Sequence, residues 1–145
     1  MASFTVTKFI NRPVQEVFDF VTNPANTAQW ESGMESSTYT SAGPIGVGSK
    51  LQNIGRMMGR KIEANAEITQ WNPPNVYSFK ATNGPANLKA EYKFEAKDDG
   101  TLLIQNIQVE LGGFFGMVEG LAVKQMQKQF ETNFNTLKTL LEATK

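Results

Sequence analysis

The longest regular pattern of hydrophobic positions lies at the C-terminal end of the chain. Apolar side chains recur there in steps of four and three residues, at Val118, Ala122, Met126, Phe130, Phe134, Leu137 and Leu141. This spacing places them along one stripe of an α-helix. No Gly or Pro interrupts residues 121–145, so a helix of about 24 residues would be roughly 36 Å long. We expect such a helix to lie along a sheet and to bury its stripe there.

The middle of the chain has the period of β-strands instead. Apolar and polar side chains alternate most clearly in residues 60–71, 76–81 and 87–96, which is typical of antiparallel strands covered on one face only. Turn signals at 43–48, 72–75, 83–85 and 98–100 separate these segments from further predicted strands at 3–10, 34–42, 49–58 and 101–111. The alternation places four glutamates on the solvent-facing side of the predicted sheet, namely Glu63, Glu67, Glu91 and Glu95. They are therefore not expected to form a catalytic carboxylate cluster.

Two short helices are predicted between the first and second strands. Pro13 is well placed at a first helical position, and Val14, Val17, Phe18 and Val21 follow at helical spacing. Asn23-Pro24 ends this helix and opens a second, which runs to about Trp30. Seven strands and three helices then account for nearly the whole chain, as one domain over residues 1–145.

This order of elements resembles the START-like helix-grip (SRPBCC) superfamily. Within it, the chain is most similar to the polyketide cyclase/dehydrase and lipid-transport branch. The resemblance is carried by residues 11–18, NRPVQEVF, with Trp30 following, and by residues 68–74, ITQWNPP, which lead into VYSF. It implies an α+β helix-grip fold, in which a curved antiparallel seven-stranded sheet wraps around the long C-terminal helix. It also implies an elongated cavity between them for a hydrophobic or aromatic small molecule.

Small side chains on the inward faces of the strands agree with a cavity. Ala64, Ala66, Ala81, Ala90 and Ala96 are expected to face the helix, with Gly55 and Gly59 nearby. The alternative is that they let the helix approach closely and pack at normal density. If a cavity is present, Asn53, Gln70 and Gln105 are polar residues at inward positions, and Tyr77 and Tyr92 add hydroxyl groups. Phe79, Met126 and Phe130 complete its expected apolar wall.

The side-chain inventory restricts any catalysis. The chain has no His and no Cys, which removes the common nucleophile systems and the common zinc sites. Its glycines match no phosphate-binding pattern, and no cofactor is predicted. Arg56 is the most interesting cation, because it would polarise a ligand carbonyl if it pointed inward. The strand has ambiguous parity there, and the outward alternative makes Arg56 a solvated surface charge.

The glycine-rich segment before the last helix contains two adjacent aromatic residues. Phe114 and Phe115 lie among four glycines in residues 112–120, and they would form the mouth of the cavity together with the loop 43–48. The alternative is a hydrophobic anchor that fixes how the chain enters the helix.

Charge and composition narrow the classes of function. Lys and Arg number 14 and Asp and Glu number 14, so no overall field favours nucleic acid or an anionic membrane. No apolar stretch is long enough for a membrane span or a signal peptide, and a soluble cytoplasmic protein is expected. The leading hypothesis is a protein that binds a hydrophobic or aromatic small molecule. The alternatives are a cyclase or dehydratase using Arg56, Tyr77 or Tyr92 on a carbonyl, and a protein-interaction module.

Overall fold

Seven strands and a long C-terminal helix make up most of the chain, as the sequence pattern predicts. The computed structural model describes residues 2–57, 59–81, 86–111 and 119–143. The strands are β1 (Ala2–Ile10), β2 (Met34–Tyr39), β3 (Lys50–Met57), β4 (Arg60–Asn72), β5 (Val76–Ala81), β6 (Ala86–Lys97) and β7 (Gly100–Leu111). The helices are α1 (Val14–Thr22), a 3₁₀ turn (Pro24–Asn26), α2 (Thr27–Trp30) and α3 (Glu119–Ala143).

The strands form one antiparallel sheet in the order β1-β7-β6-β5-β4-β3-β2. Consecutive strands from β2 to β7 are neighbours, whereas β1 pairs with β7 at the opposite edge from β2. The connection from β1 to β2 therefore has to cross the sheet, and α1, the 3₁₀ turn and α2 make that crossing. The two short helices consequently close one end of the space between the sheet and α3.

Helix α3 packs on the apolar face of the sheet through its predicted stripe. Phe134, Leu137 and Leu141 are buried, and Met126 and Phe130 are partly buried. Ring contacts tie the helix to β1 and β6, with centroid distances of 5.7 Å for Phe4–Phe130 and 6.5 Å for Tyr92–Phe134. The C-terminal half of α3 is thus packed into the core, and the half that precedes it is less completely covered. Val118 lies outside the described residues.

Helix α1 supplies the second part of the core. Val17, Phe18 and Val21 are buried on one of its faces. The Phe18 ring packs edge-on against Trp71 at 5.3 Å and Phe94 at 5.0 Å. Pro13 is the N-cap of this helix and not its first residue, so the helix begins at Val14, one position later than the sequence predicts.

One small residue, at the end of β6, lies on the expected face of the sheet, opposite the buried Thr101, but is not part of the buried interior. Ala96 is exposed, because it lies beside the turn at residues 98 and 99, beyond the part of the sheet that the helices cover. Ala66 and Ala90 are buried, and Ala64 and Ala81 are partly buried.

Candidate functional site

A cavity of about 320 Å³ lies between the sheet and the middle of α3. Its sheet side includes five small residues, namely Gly55, Ala64, Ala66, Ala81 and Ala90. Its helix side is formed by Met126, Phe130 and Phe134. Because small side chains on the strands do not reach those of the helix, volume is left between the two layers. This volume is within the range of small-molecule sites and far exceeds that of one water molecule.

The wall of the cavity contains a few polar side chains among its apolar ones. Tyr92 on β6 and Gln105 on β7 are direct cross-strand partners, and Gln105 Nε2 donates a hydrogen bond to the Tyr92 hydroxyl at 2.7 Å. Asn53 on β3 accepts a hydrogen bond from Ser37 Oγ at 2.6 Å. A mostly apolar wall with a few fixed polar groups is typical of sites for small organic ligands.

The loop between α2 and β2 forms one end of the cavity and is attached to α3. The Ser32 backbone N–H donates to Asn133 Oδ1 at 3.0 Å, and Gln129 Nε2 donates to the Ser32 carbonyl at 3.1 Å. Just before the loop, the Trp30 ring packs against Phe134 with centroids 6.2 Å apart. These contacts fix the position of Glu31, which lies between Trp30 and Ser32 in the chain.

Glu31 is the carboxylate of the cavity wall. It borders both the main cavity and an adjoining one of about 40 Å³ beneath α1 and α2. The residue as a whole is partly exposed, yet burial of its carboxyl group raises its pKa to about 7. The carboxylate has no hydrogen bond or ion pair with any described residue. A carboxyl group with such a pKa exchanges its proton near neutral pH.

Two buried tyrosines lie near this carboxyl group. Burial raises the pKa of Tyr77, with further contributions from Tyr39 and Glu31. Burial also raises the pKa of Tyr92, with contributions from Glu31 and Tyr77, while the hydrogen bond from Gln105 acts in the opposite direction. Both phenols therefore stay protonated at physiological pH and are available as hydrogen-bond donors.

The structure brings most of the predicted ligand-binding residues together. Asn53, Arg56, Phe79, Tyr92, Gln105, Met126 and Phe130 border the main cavity, and Tyr77 borders the adjoining one. The side chain of Arg56, whose direction the sequence leaves open, is exposed and bonded to Glu35. Phe114 and Phe115 lie outside the described residues.

The expected inward orientation of Gln70 is wrong. The pairing of β4 with β5 shifts register between Ile68 and Gln70, and such a bulge moves the residues after it to the other face of the strand. Gln70 is exposed, and its Oε1 accepts a hydrogen bond from Ser78 Oγ at 2.6 Å. The side chain therefore lies on the face of the sheet that is turned away from the cavity.

Sequence reasoning missed Glu31, Gln129 and Asn133 as residues of the site. Glu31 follows a helix of only four residues, where no strand or helix period predicts the direction of a side chain. Asn133 is buried next to Phe134, although the apolar stripe does not include it. Its buried amide is explained by the contact with Ser32, which joins segments 101 residues apart. The available signal was an acidic residue directly after Trp30, the predicted end of the second short helix.

Metal and membrane features are not evident in the described part of the chain. No group of three or more Asp, Glu, His or Cys side chains is arranged there to hold a metal ion. No helix in the same residues is long and apolar enough to span a membrane.

Comparisons with known proteins agree with this architecture over the full length of the chain. The model of a family described as polyketide cyclase / dehydrase and lipid transport matches residues 1–142. No curated protein matches the chain in sequence. Protein TTHA0849 from Thermus thermophilus superposes with a TM-score of 0.83 at 19% identity, covering 99% of this chain and 100% of its own.

Two further solved structures share the fold at low sequence identity. The ZhuI aromatase/cyclase from Streptomyces sp. R1128 superposes with a TM-score of 0.79 at 12% identity, over 97% of this chain and 93% of its own. The protein Ara h 8.0201 superposes with a TM-score of 0.76 at 14% identity, over 99% of both chains. These structures establish a shared helix-grip arrangement of sheet and C-terminal helix.

Proposed function

Because the chain belongs to the polyketide cyclase/dehydrase and lipid transport family, we propose that it binds a small hydrophobic or aromatic molecule between its sheet and α3. The observation that carries this proposal is the cavity of about 320 Å³. Its alanine-rich wall and its phenylalanine side chains would bury an apolar ligand, which is the main source of affinity in such sites. The ring of Phe79 and the thioether of Met126 provide further apolar contact area.

Native mass spectrometry of freshly purified protein, combined with thermal unfolding in the presence of lipid and aromatic probes, tests the proposal. A ligand at one hundred times its dissociation constant stabilises the native state by about 2.7 kcal/mol. For a domain of this size that corresponds to a rise of several degrees in Tm. Protein that carries no bound molecule and is stabilised by none of the probes would contradict the proposal.

A second candidate function, catalysis on a carbonyl compound, is favoured by one observation. Glu31 has a pKa of about 7 and lies in electrostatic contact with Tyr92, a hydrogen-bond donor at the same cavity. In this reaction the Glu31 carboxylate removes a proton from the carbon next to a carbonyl. The electrons of the C–H bond form an enolate, and the Tyr92 O–H donates a hydrogen bond to its oxygen. Return of the proton from Glu31 completes the exchange.

The exchange of α-hydrogens of 2-tetralone in D₂O, followed by NMR, tests this second function. Wild-type protein would accelerate the exchange above the buffer rate, and Glu31→Gln would abolish the acceleration. Equal rates for wild type, Glu31→Gln and buffer would exclude Glu31 as a base towards this ketone.

The remaining alternative, an interaction module, has no specific support. Two large apolar side chains are exposed among the described residues: Val47 lies in the loop between β2 and β3, and Leu121 lies in α3.

A further inference from the structure

Tyr92 and Gln105 form a hydrogen-bonded polar pair in the largely apolar wall of the cavity, near Glu31. They are opposite each other on β6 and β7, so both side chains point to the same face of the sheet. Their exposed fractions are 2% and 3%. Gln105 Nε2 donates to the Tyr92 hydroxyl at 2.7 Å, and the rings of Phe79 and Phe134 lie 6.2 and 6.5 Å from that of Tyr92.

The pair has hydrogen-bonding capacity that the described residues do not use. Gln105 Oε1 is buried and has no partner among them. Because the Tyr92 oxygen accepts the bond from Gln105, its own hydrogen remains available for donation. A buried acceptor without a partner costs roughly 1–3 kcal/mol, so a second group is expected at this position.

The orientation of the Gln105 amide does not change this conclusion. If the amide is rotated by 180°, the Tyr92 hydroxyl donates to Oε1, and both N–H groups of Nε2 are left without a partner in the pair. In that arrangement the Tyr92 oxygen is the free acceptor. In both arrangements the pair presents at least one donor and one acceptor to the cavity.

A hydroxyl group is the simplest partner for such a pair, because one oxygen atom both donates and accepts. A carbonyl or an ether would only accept, and an ammonium group would only donate. A carboxylate would only accept and would also bring a negative charge towards Glu31, which borders the same cavity. The chemistry of the pair therefore selects a neutral hydroxyl over these groups.

We propose that the ligand carries a phenolic or alcoholic hydroxyl on an apolar ring frame and that Tyr92 and Gln105 bind this hydroxyl. The inference rests on the proposed ligand-binding function. It adds a chemical criterion for the ligand that shape and apolar area do not supply. Trp30 Nε1, buried at the same cavity and without a partner among the described residues, is a further donor for a second oxygen of the ligand.

The test compares 2-naphthol with 2-methylnaphthalene by isothermal titration calorimetry. The two probes share a ring frame, and a methyl group replaces the hydroxyl. Wild-type protein is expected to bind 2-naphthol at least about tenfold more tightly, because the methyl compound leaves the buried pair unpaired. Tyr92→Phe and Gln105→Leu are each expected to remove most of this preference. Tyr39→Phe is the matched control, since the Tyr39 hydroxyl donates to the Thr22 carbonyl at 3.0 Å, and neither residue borders the main cavity.

The outcomes separate the hydroxyl site from ligand binding itself. Equal affinities of wild type for the two probes would overturn the hydroxyl site and leave ligand binding in place. A preference that persists in folded Tyr92→Phe would overturn it as well, and this conservative variant decides the question if Gln105→Leu fails to fold. Binding of neither probe would count against both proposals.

Discussion

Arg56 Nε donates to Glu35 Oε2 across 3.0 Å, and the two side chains are 60% and 42% exposed. The ion pair lies on the solvent side of β2 and β3. The backbone of Arg56 is fixed separately, because its N–H donates to the Gly33 carbonyl at 2.9 Å. The guanidinium group is therefore held away from any molecule in the cavity, although the residue borders it.

Replacement of Arg56 by Gln is expected to leave ligand binding unchanged. Exposed ion pairs contribute roughly 0–1 kcal/mol, so the free energy of unfolding should fall by no more than about 1 kcal/mol. Urea denaturation and probe titration of Arg56→Gln measure the two quantities. A loss of probe affinity beyond about tenfold, or 1.4 kcal/mol, would show that the guanidinium group reaches the ligand.

Gly55 is expected to tolerate no side chain. A Cβ atom at this position would lie 2.7 Å from the carbonyl oxygen of Gly33, and backbone cannot move aside as a flexible side chain can. We expect Gly55→Ala to lower the free energy of unfolding by about 1–3 kcal/mol, the usual cost of steric overpacking. The matched control is Gly46→Ala, where a Cβ would meet no heavy atom within 4 Å. Equal unfolding free energies for the two variants would contradict the close approach of β3 to Gly33.

Glu31 is expected to make the stability of the protein depend on pH. Its pKa is raised from 4.5 to about 7 in the folded state. Below pH 4.5 the carboxyl group is protonated in both states and has no effect. As the pH rises towards 7, the unfolded chain loses this proton first, so the native state becomes less stable by at most about 3 kcal/mol. Above pH 7 this penalty stays constant.

The variant Glu31→Gln removes this penalty. Its unfolding free energy relative to wild type should therefore increase between pH 4.5 and about 7 and then level off. Urea denaturation of both proteins at several pH values across this range measures the difference. Glu95→Gln, which removes an exposed carboxylate from the outer face, controls for the change in net charge. A difference between Glu31→Gln and wild type that does not vary with pH would contradict the burial of this carboxyl group.

The fold could be predicted from the sequence because the alternation typical of strands and the spacing typical of a helix each extend regularly over long segments. The alternation along β4, β5 and β6 identifies the covered face of the sheet and places Ala64, Ala90 and Tyr92 on it. The step of three and four residues in α3 identifies Phe134 and Leu137 as core residues. Each of these positions follows from the side-chain period of a strand or a helix, which is repeated several times along the element.

The remaining parts of the site depend on contacts that no local period encodes. The bulge after Ile68 reverses the face of Gln70, and a one-residue shift of register leaves no clear mark in the composition of a strand. The position of Glu31 depends on how Ser32 is bound by Asn133 and Gln129, far along the chain. The direction of Arg56 depends on its partner Glu35 in another strand. These relationships require the tertiary structure.

The most direct test of ligand binding is a fluorescence titration with the neutral probe N-phenyl-1-naphthylamine, comparing wild type with a variant whose cavity is filled. Ala64 borders the cavity and is partly buried, so the side chain in Ala64→Leu would occupy ligand space. The control Gln108→Leu places the same side chain at an exposed position of β7. We predict saturable one-to-one binding by wild type and Gln108→Leu, and at least about tenfold weaker binding by folded Ala64→Leu. Identical binding curves for all three proteins would contradict a ligand site between the sheet and α3.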